Sequence, residues 1–108
     1  MVKQLKSSAE LRDTISSSQG KLVVIDFFAT WCGPCVAIAP FYQQLSENYK
    51  NVVFLKIDVD DSELEEAVQK YNINCMPTFV FLKNDKEVDR LEGASKDNLE
   101  SKVKQHSA

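Results

Sequence analysis

The chain has 108 residues, 44% hydrophobic and 27% charged, which suits one globular domain and is too short for two. Thirteen Lys and Arg against sixteen Asp and Glu leave a net charge of −3, so no basic stripe exists to neutralise phosphates, and neither nucleic acid nor an anionic membrane is an expected partner. Three Gly, three Pro and no low-complexity tract exclude a collagen-like, Pro-rich or largely disordered chain.

The first thirteen residues include Lys3, Lys6, Glu10, Arg12 and Asp13, leaving no room for the apolar core of a signal peptide, so export is not expected. No Asn-x-Ser/Thr acceptor occurs, which agrees with an intracellular, reducing compartment. A short strand is expected near Val2 to Leu5. Ser7-x-x-Glu10 ahead of Leu11 reads as a capping box, opening a helix with Leu11 and Ile15 on one face and Gly20 as its stop. Leu22 to Phe28 is an apolar run broken only by Asp26, which predicts a central parallel strand covered on both faces. Even extended to Trp31 it falls far short of the roughly 18 to 20 residues that span a bilayer.

A long helix follows, with Pro34 in its first turn, Ile38, Phe41, Leu45 and Tyr49 recurring at helical spacing, and Pro40 expected to kink its interior. Val52 to Ile57 is a second β-branched run. Asp60-x-x-Glu63 then introduces Leu64, Ala67, Val68 and Tyr71 at helical spacing. Thr78 to Leu82 is strand-like, Lys83 to Lys86 a turn, and Glu87 to Glu92 a weaker edge strand whose Val88 and Leu91 point to opposite faces. Ser95 caps a final helix carrying Leu99 and Val103. The expected fold is therefore α/β: a mixed five-stranded sheet flanked on both faces by four helices. Strands joined through helices are expected to run parallel, and the last pair antiparallel.

Trp31-Cys32-Gly33-Pro34-Cys35 falls where the central strand ends and the long helix begins, a position in which C-x-x-C reads as a redox motif. Cys32 at the positive end of the helix has free backbone N–H groups nearby, which favour thiolate over thiol and make it the nucleophile. Cys35, one turn further in and less exposed, is the resolving thiol, with Gly33-Pro34 fixing a tight turn between the two. As a structural staple the pair is poor: a four-residue ring removes only about 1.9 kcal/mol of unfolded-state entropy in the chain model, against about 3 for a 15-residue loop. A small ring that opens and closes is, by contrast, what a two-electron carrier needs. Zinc is the competing reading, since Cys32, Cys35, Cys75 and His106 supply four formal donors, but they lack the paired spacing of zinc modules, and no metal is expected.

Asp26 lies six residues before Cys32 in a strand expected to be buried. Burial raises its pKa and suits it to act as a general base for the inner thiol; pairing with Lys56 on the neighbouring strand is the alternative, and both can hold together. Met76-Pro77 precedes the fourth strand, where a cis bond is sometimes fixed, although trans is the commoner state.

With WCGPC, the buried Asp26, the CMPTF segment and the order of elements in hand, essentially the whole chain resembles the thioredoxin family, in its cytosolic eukaryotic branch. The resemblance implies a thioredoxin fold and a protein-disulfide reductase that cycles between Cys32–Cys35 dithiol and disulfide in the cytoplasm and contributes to redox homeostasis. It implies no bound cofactor, with NADPH used indirectly through thioredoxin reductase, and disulfide-bearing partners such as peroxiredoxins and ribonucleotide reductase. It also implies a cis bond at Pro77 and an apolar platform of Trp31, Gly33, Pro34, Met76, Pro77 and Gly93 for extended substrates. From its place beside Asp26, Lys56 is counted with Asp26, Cys32 and Cys35 among the expected catalytic residues. Val36 stands where the family commonly has Lys, and Asp61 to Asn74 lacks the extra cysteines of many animal members.

Cys75 is left unpaired and is either a buried small hydrophobe or an exposed regulatory thiol through which a monomer could dimerise. His106 reads as solvated tail. Asp58 to Glu66 holds six carboxylates but fails as an EF-hand loop, because Glu63 and Gln69 stand where Gly and Glu are required; a charged helix start explains it better. The rival to an enzyme is a module that uses the same face to bind a regulatory partner, with redox state as the switch.

Overall fold

A computed structural model describes all residues, 1–108. The elements follow the expected order: β1 (Val2–Gln4), α1 (Ser8–Ser16), β2 (Leu22–Phe28), α2 (Gly33–Asn48), β3 (Val53–Asp58), α3 (Glu65–Lys70) entered through a 3-10 turn (Ser62–Leu64), β4 (Thr78–Lys83), β5 (Lys86–Glu92) and α4 (Lys96–His106). They form a five-stranded sheet in the order β1-β3-β2-β4-β5, with four helices around it.

Strand β2 is buried along its whole length because both its faces are covered. Alternation of side chains along a strand divides it cleanly. Val23, Ile25 and Phe27 point into a core closed by Leu11 and Ile15 of α1 and by Ala67 of α3, while Leu22 and Val24 point into a second core closed by Ile38, Tyr42 and Leu45 of α2 and by Leu99 and Val103 of α4. By the same alternation Asp26 falls on the α2 side.

β1, β3 and β2 are parallel, but β4 runs antiparallel to β2. The expectation that helix-joined strands are parallel therefore fails at the α3 connection. The connection through α3 does not carry the chain back to the far end of the sheet, and β4 starts at the end where β3 stopped. This gathers the end of β2, the start of α2, the start of β4 and the end of β5 at one edge.

Other local expectations shift by small steps. Ser7 Oγ accepts the Glu10 amide at 3.1 Å, but the Glu10 carboxylate returns to the Lys6 amide, at 2.7 Å, rather than to Ser7. α1 ends four residues before Gly20, which lies beyond it with φ +85°. Asp61, not Asp60, caps the turn before α3. Pro40 is accommodated within a continuous α2, and Tyr42, rather than Phe41, is the aromatic that this helix buries completely. Asn84 and Asp85, both at positive φ, make the two-residue turn between β4 and β5, and the register skips Val88, leaving it exposed on the edge strand.

His106 is not solvated tail. It lies in the last turn of α4, half-buried, with Nε2 2.9 Å from Asp89 Oδ2 on β5 and its ring beside Phe81. No helix is long and apolar enough to cross a membrane.

Candidate active site

Cys32 is the N-cap of α2 in extended conformation (φ −88°, ψ 112°), and its Sγ accepts the Cys35 amide at 3.2 Å. The capping role usually filled by an oxygen is taken by the sulfur itself, which places it in the field of the helix N-terminus. Pro34 occupies the first turn, where a missing N–H is harmless. Cys32 and Cys35 form a disulfide with their Cα atoms 5.3 Å apart.

The expected contrast in exposure between the two sulfurs is small: Cys32 is 7% and Cys35 3% exposed. In the disulfide form the outer sulfur packs with Phe28 and Ala29 and lies 3.8 Å from the Met76 carbonyl oxygen, which shields it. Gly33 also differs from expectation. Its φ is not positive and a Cβ there would meet nothing within 4 Å, so the turn does not demand glycine; what its absent side chain leaves is open space beside the disulfide.

Asp26 is 1% exposed and pairs in register with Lys56 of β3 and Phe79 of β4. It lines a cleft of about 240 Å³ together with Cys35, Val36, Ala39 and Lys56, and its Oδ1 has no hydrogen-bond partner. Burial pushes its pKa up to about 7, with the Lys56 charge pulling the other way. Lys56 makes no ion pair with it; the ammonium stands over the Phe28 ring, 4.4 Å from the centroid. The pairing reading is thus corrected: Lys56 is a neighbouring charge, and the carboxylate is left without a compensating bond because Lys56 stacks on the aromatic face instead.

Met76–Pro77 is cis, as the resemblance implies and against the commoner state of such bonds. The Gly93 amide donates to the Pro77 carbonyl at 2.9 Å, and Gly93 holds φ +105°, a conformation that favours glycine. Met76 is half-buried against the disulfide, Pro77 is buried, and Gly33, Pro34 and Gly93 are exposed or half-exposed around it. Trp31 is 69% exposed, its indole Nε1 donating to Asp60 Oδ2 at 2.8 Å. Asp60 is the contributor that sequence spacing could not flag, since 29 residues separate the two. Cys75 resolves to the exposed alternative, its Sγ 3.7 Å from Thr78 Oγ1. The four formal zinc donors do not converge.

Comparison with known proteins agrees with this geometry. The Thioredoxin family model matches residues 2–105. The chain is 48% identical to thioredoxin of Equus caballus over 104 residues, covering 96% of this chain and 97% of that one, and 45% identical to thioredoxin of Homo sapiens over 103 residues, covering 95% and 96%. Among solved structures, the thioredoxin of Fasciola hepatica superposes with a TM-score of 0.91 at 45% identity, covering 96% of this chain and 98% of that one. A thioredoxin of Schistosoma mansoni gives 0.91 at 46% identity, with 97% and 94% covered.

Proposed function

The chain belongs to the thioredoxin family and is a thiol–disulfide oxidoreductase; from that premise we propose that residues 1–108 form a single thioredoxin domain working as a general protein-disulfide reductase. The observation that carries the reading is the Cys32–Cys35 pair at the start of α2, with Cys35 sharing a cleft with a buried carboxylate.

In the reduced protein the Cys32 thiolate attacks one sulfur of a substrate disulfide. A mixed disulfide forms, and the other substrate sulfur leaves as a thiolate that takes up a proton. Cys35 then attacks Cys32 Sγ, the second substrate sulfur is released and protonated, and the Cys32–Cys35 disulfide is restored; two electrons pass to the substrate, whose two thiols take up two protons, one matching that lost by Cys35 and one from solvent. Asp26 accepts the Cys35 proton, a task suited to a carboxyl with a pKa of about 7, and Lys56 tunes it by charge. Trp31, Gly33, Pro34, Met76, Pro77 and Gly93 make the platform against which the substrate segment lies.

Thioredoxin reductase, drawing on NADPH, returns the disulfide to dithiol, and peroxiredoxins and ribonucleotide reductase are among the acceptors of these electrons, within a cytoplasmic role in redox homeostasis. The protein works as a monomer, with Cys75 as a regulatory thiol through which two copies couple when oxidised. The decisive assay follows insulin reduction with NADPH and thioredoxin reductase. Wild type is expected to turn over and Cys32→Ser to be inert; activity retained by the variant overturns the assignment.

A further inference from the structure

The sixteen residues from Trp31 to Ser46 contain no charged side chain, in a chain where 27% of residues are charged. The interior positions of α2 explain only half of this. Cys35, Ile38, Tyr42 and Leu45 face the core, but Gly33, Val36, Ala37 and Pro40 recur at helical spacing on the opposite side, and all four are exposed. Solvated helix faces are ordinarily polar, and this one is not.

Four large hydrophobic side chains are exposed in the whole molecule. Met1 is the terminus and Val88 the residue skipped by the edge-strand register; Trp31, at 69%, and Val36, at 62%, both flank the disulfide. Val36 adds little to the core at that exposure, and a β-branched residue is a weaker helix former than Ala. The uncharged stripe starts beside the reactive sulfurs, runs about 12 Å over two turns, and ends near Phe41, where Lys96 Nζ stands 5.8 Å from the ring centroid. It is continuous with the face that any substrate must cover to reach Cys32.

Resting on the disulfide-exchange reading above, we infer that this face of α2, centred on Val36, is a specificity surface that selects disulfide-bearing protein segments with apolar side chains beside the reacting cysteine. Such side chains bury Val36 and Ala37 on docking. The helix face itself offers a charged segment no counter-charge, the nearest ammonium groups being Lys56, across the cleft it shares with Val36, and Lys96, beside Phe41, so charges set against Val36 and Ala37 lose solvation without a partner on the helix.

Two disulfide-cyclised peptides test this, identical except for leucines or glutamates on both flanks of one cysteine, with kcat/KM measured for each under dithiothreitol recycling. Wild type is expected to favour the leucine peptide by about five- to tenfold. Val36→Lys and, independently, Ala37→Lys should bring the ratio to parity or invert it, whereas Val36→Leu should keep it. Circular dichroism checks that each variant is folded. A wild-type ratio near one, or a ratio unchanged by both lysine substitutions, overturns the inference while leaving disulfide exchange intact. Failure of wild type to reduce either peptide overturns both.

Discussion

The backbone amide of Cys35 points at the sulfur of Cys32 across 3.2 Å, so the residue that resolves the reaction also holds the one that begins it. An amide donor favours negative charge on its acceptor, and this one acts together with the N-terminal field of α2. Attack by Cys32 followed by Cys35 makes an asymmetric prediction. Cys35→Ser should accumulate covalent adducts with substrate proteins, visible on non-reducing gels and dissolved by dithiothreitol, and Cys32→Ser should accumulate none. Should Cys35→Ser trap nothing while wild type turns over, the order of the two sulfurs is wrong.

Asp26 predicts a stability profile with a definite sign. Its folded pKa, about 7, lies above the ordinary 3.8, because burial disfavours the charged form and Lys56 only partly offsets it. The folded state therefore holds this proton more tightly than the unfolded chain does. The contribution is intact below about pH 4, declines as pH rises, and is lost above about 7. Asp26→Asn removes the penalty of ionising a buried group, so it should match wild type near pH 4 and exceed it above pH 8 by on the order of 4 kcal/mol in urea unfolding, from a shift of about 3 units. The same variant should slow disulfide reduction, roughly in the lower part of the 10²–10⁴ range of lost general bases. Lys56→Met should raise the Asp26 pKa further, read from the carboxyl carbon by NMR. Equal stability of Asp26→Asn and wild type at pH 8.5 would contradict the buried-charge account.

Much of this was legible in the chain, for identifiable reasons. Seven apolar-dominated residues from Leu22 to Phe28 could only be a doubly covered strand, and the single acid inside it had to be buried. The placement of Cys32 before a Pro-initiated helix fixed the sulfur at a helix start. What stayed hidden depended on distances between remote segments. Phe41 and Tyr42 both fit the spacing of α2, and the difference lies in where a phenol can reach. The direction of β4 depends on which end of the sheet the α3 connection delivers the chain to, which periodicity does not report. His106 looked like tail because its partner Asp89 lies 17 positions away on another element.

Tyr42 shows what that concealed aromatic contributes. Its hydroxyl, completely buried, lies 3.1 Å from the Val24 carbonyl and 2.9 Å from that of Leu55, where one O–H can serve either strand, β2 or β3. Burial, the Asp26 charge and a countering hydrogen bond from the phenol to Leu55 leave its pKa well above the usual value, so it remains a neutral donor. Tyr42→Phe keeps the ring packing against Phe54 and Phe79 and deletes only this bond. It should lower stability by about 1 kcal/mol and leave kcat/KM for insulin within about twofold of wild type. A loss above about 3 kcal/mol would point to collapse of the ring packing rather than a missing bond.

Asp89 ties the end of α4 to the edge strand, and its titration predicts the acid limb of stability. Burial alone would raise its pKa, but hydrogen bonds from His106, Lys102 and the Arg90 amide, with the Lys102 charge, outweigh it and hold the carboxyl at about 2. Here the folded pKa lies below the unfolded one, so the stabilisation is present above about pH 4 and is lost as pH falls through about 2, the reverse of Asp26. The carboxylate is one-fifth exposed, with Lys102 Nζ and His106 Nε2 both at 2.9 Å, so solvent screens the cluster only in part. Asp89→Asn should lower stability at pH 7 by about 2 kcal/mol, from a shift of about 2 units, and the difference from wild type should vanish near pH 2. Hydrogen exchange should locate the effect, with amides of Lys104 to His106 exchanging faster while those of β2 stay protected. If the variant and wild type unfold with the same midpoint across pH 4 to 8, the cluster is ornamental to folding and the last turn of α4 is held by Leu99 and Val103 alone.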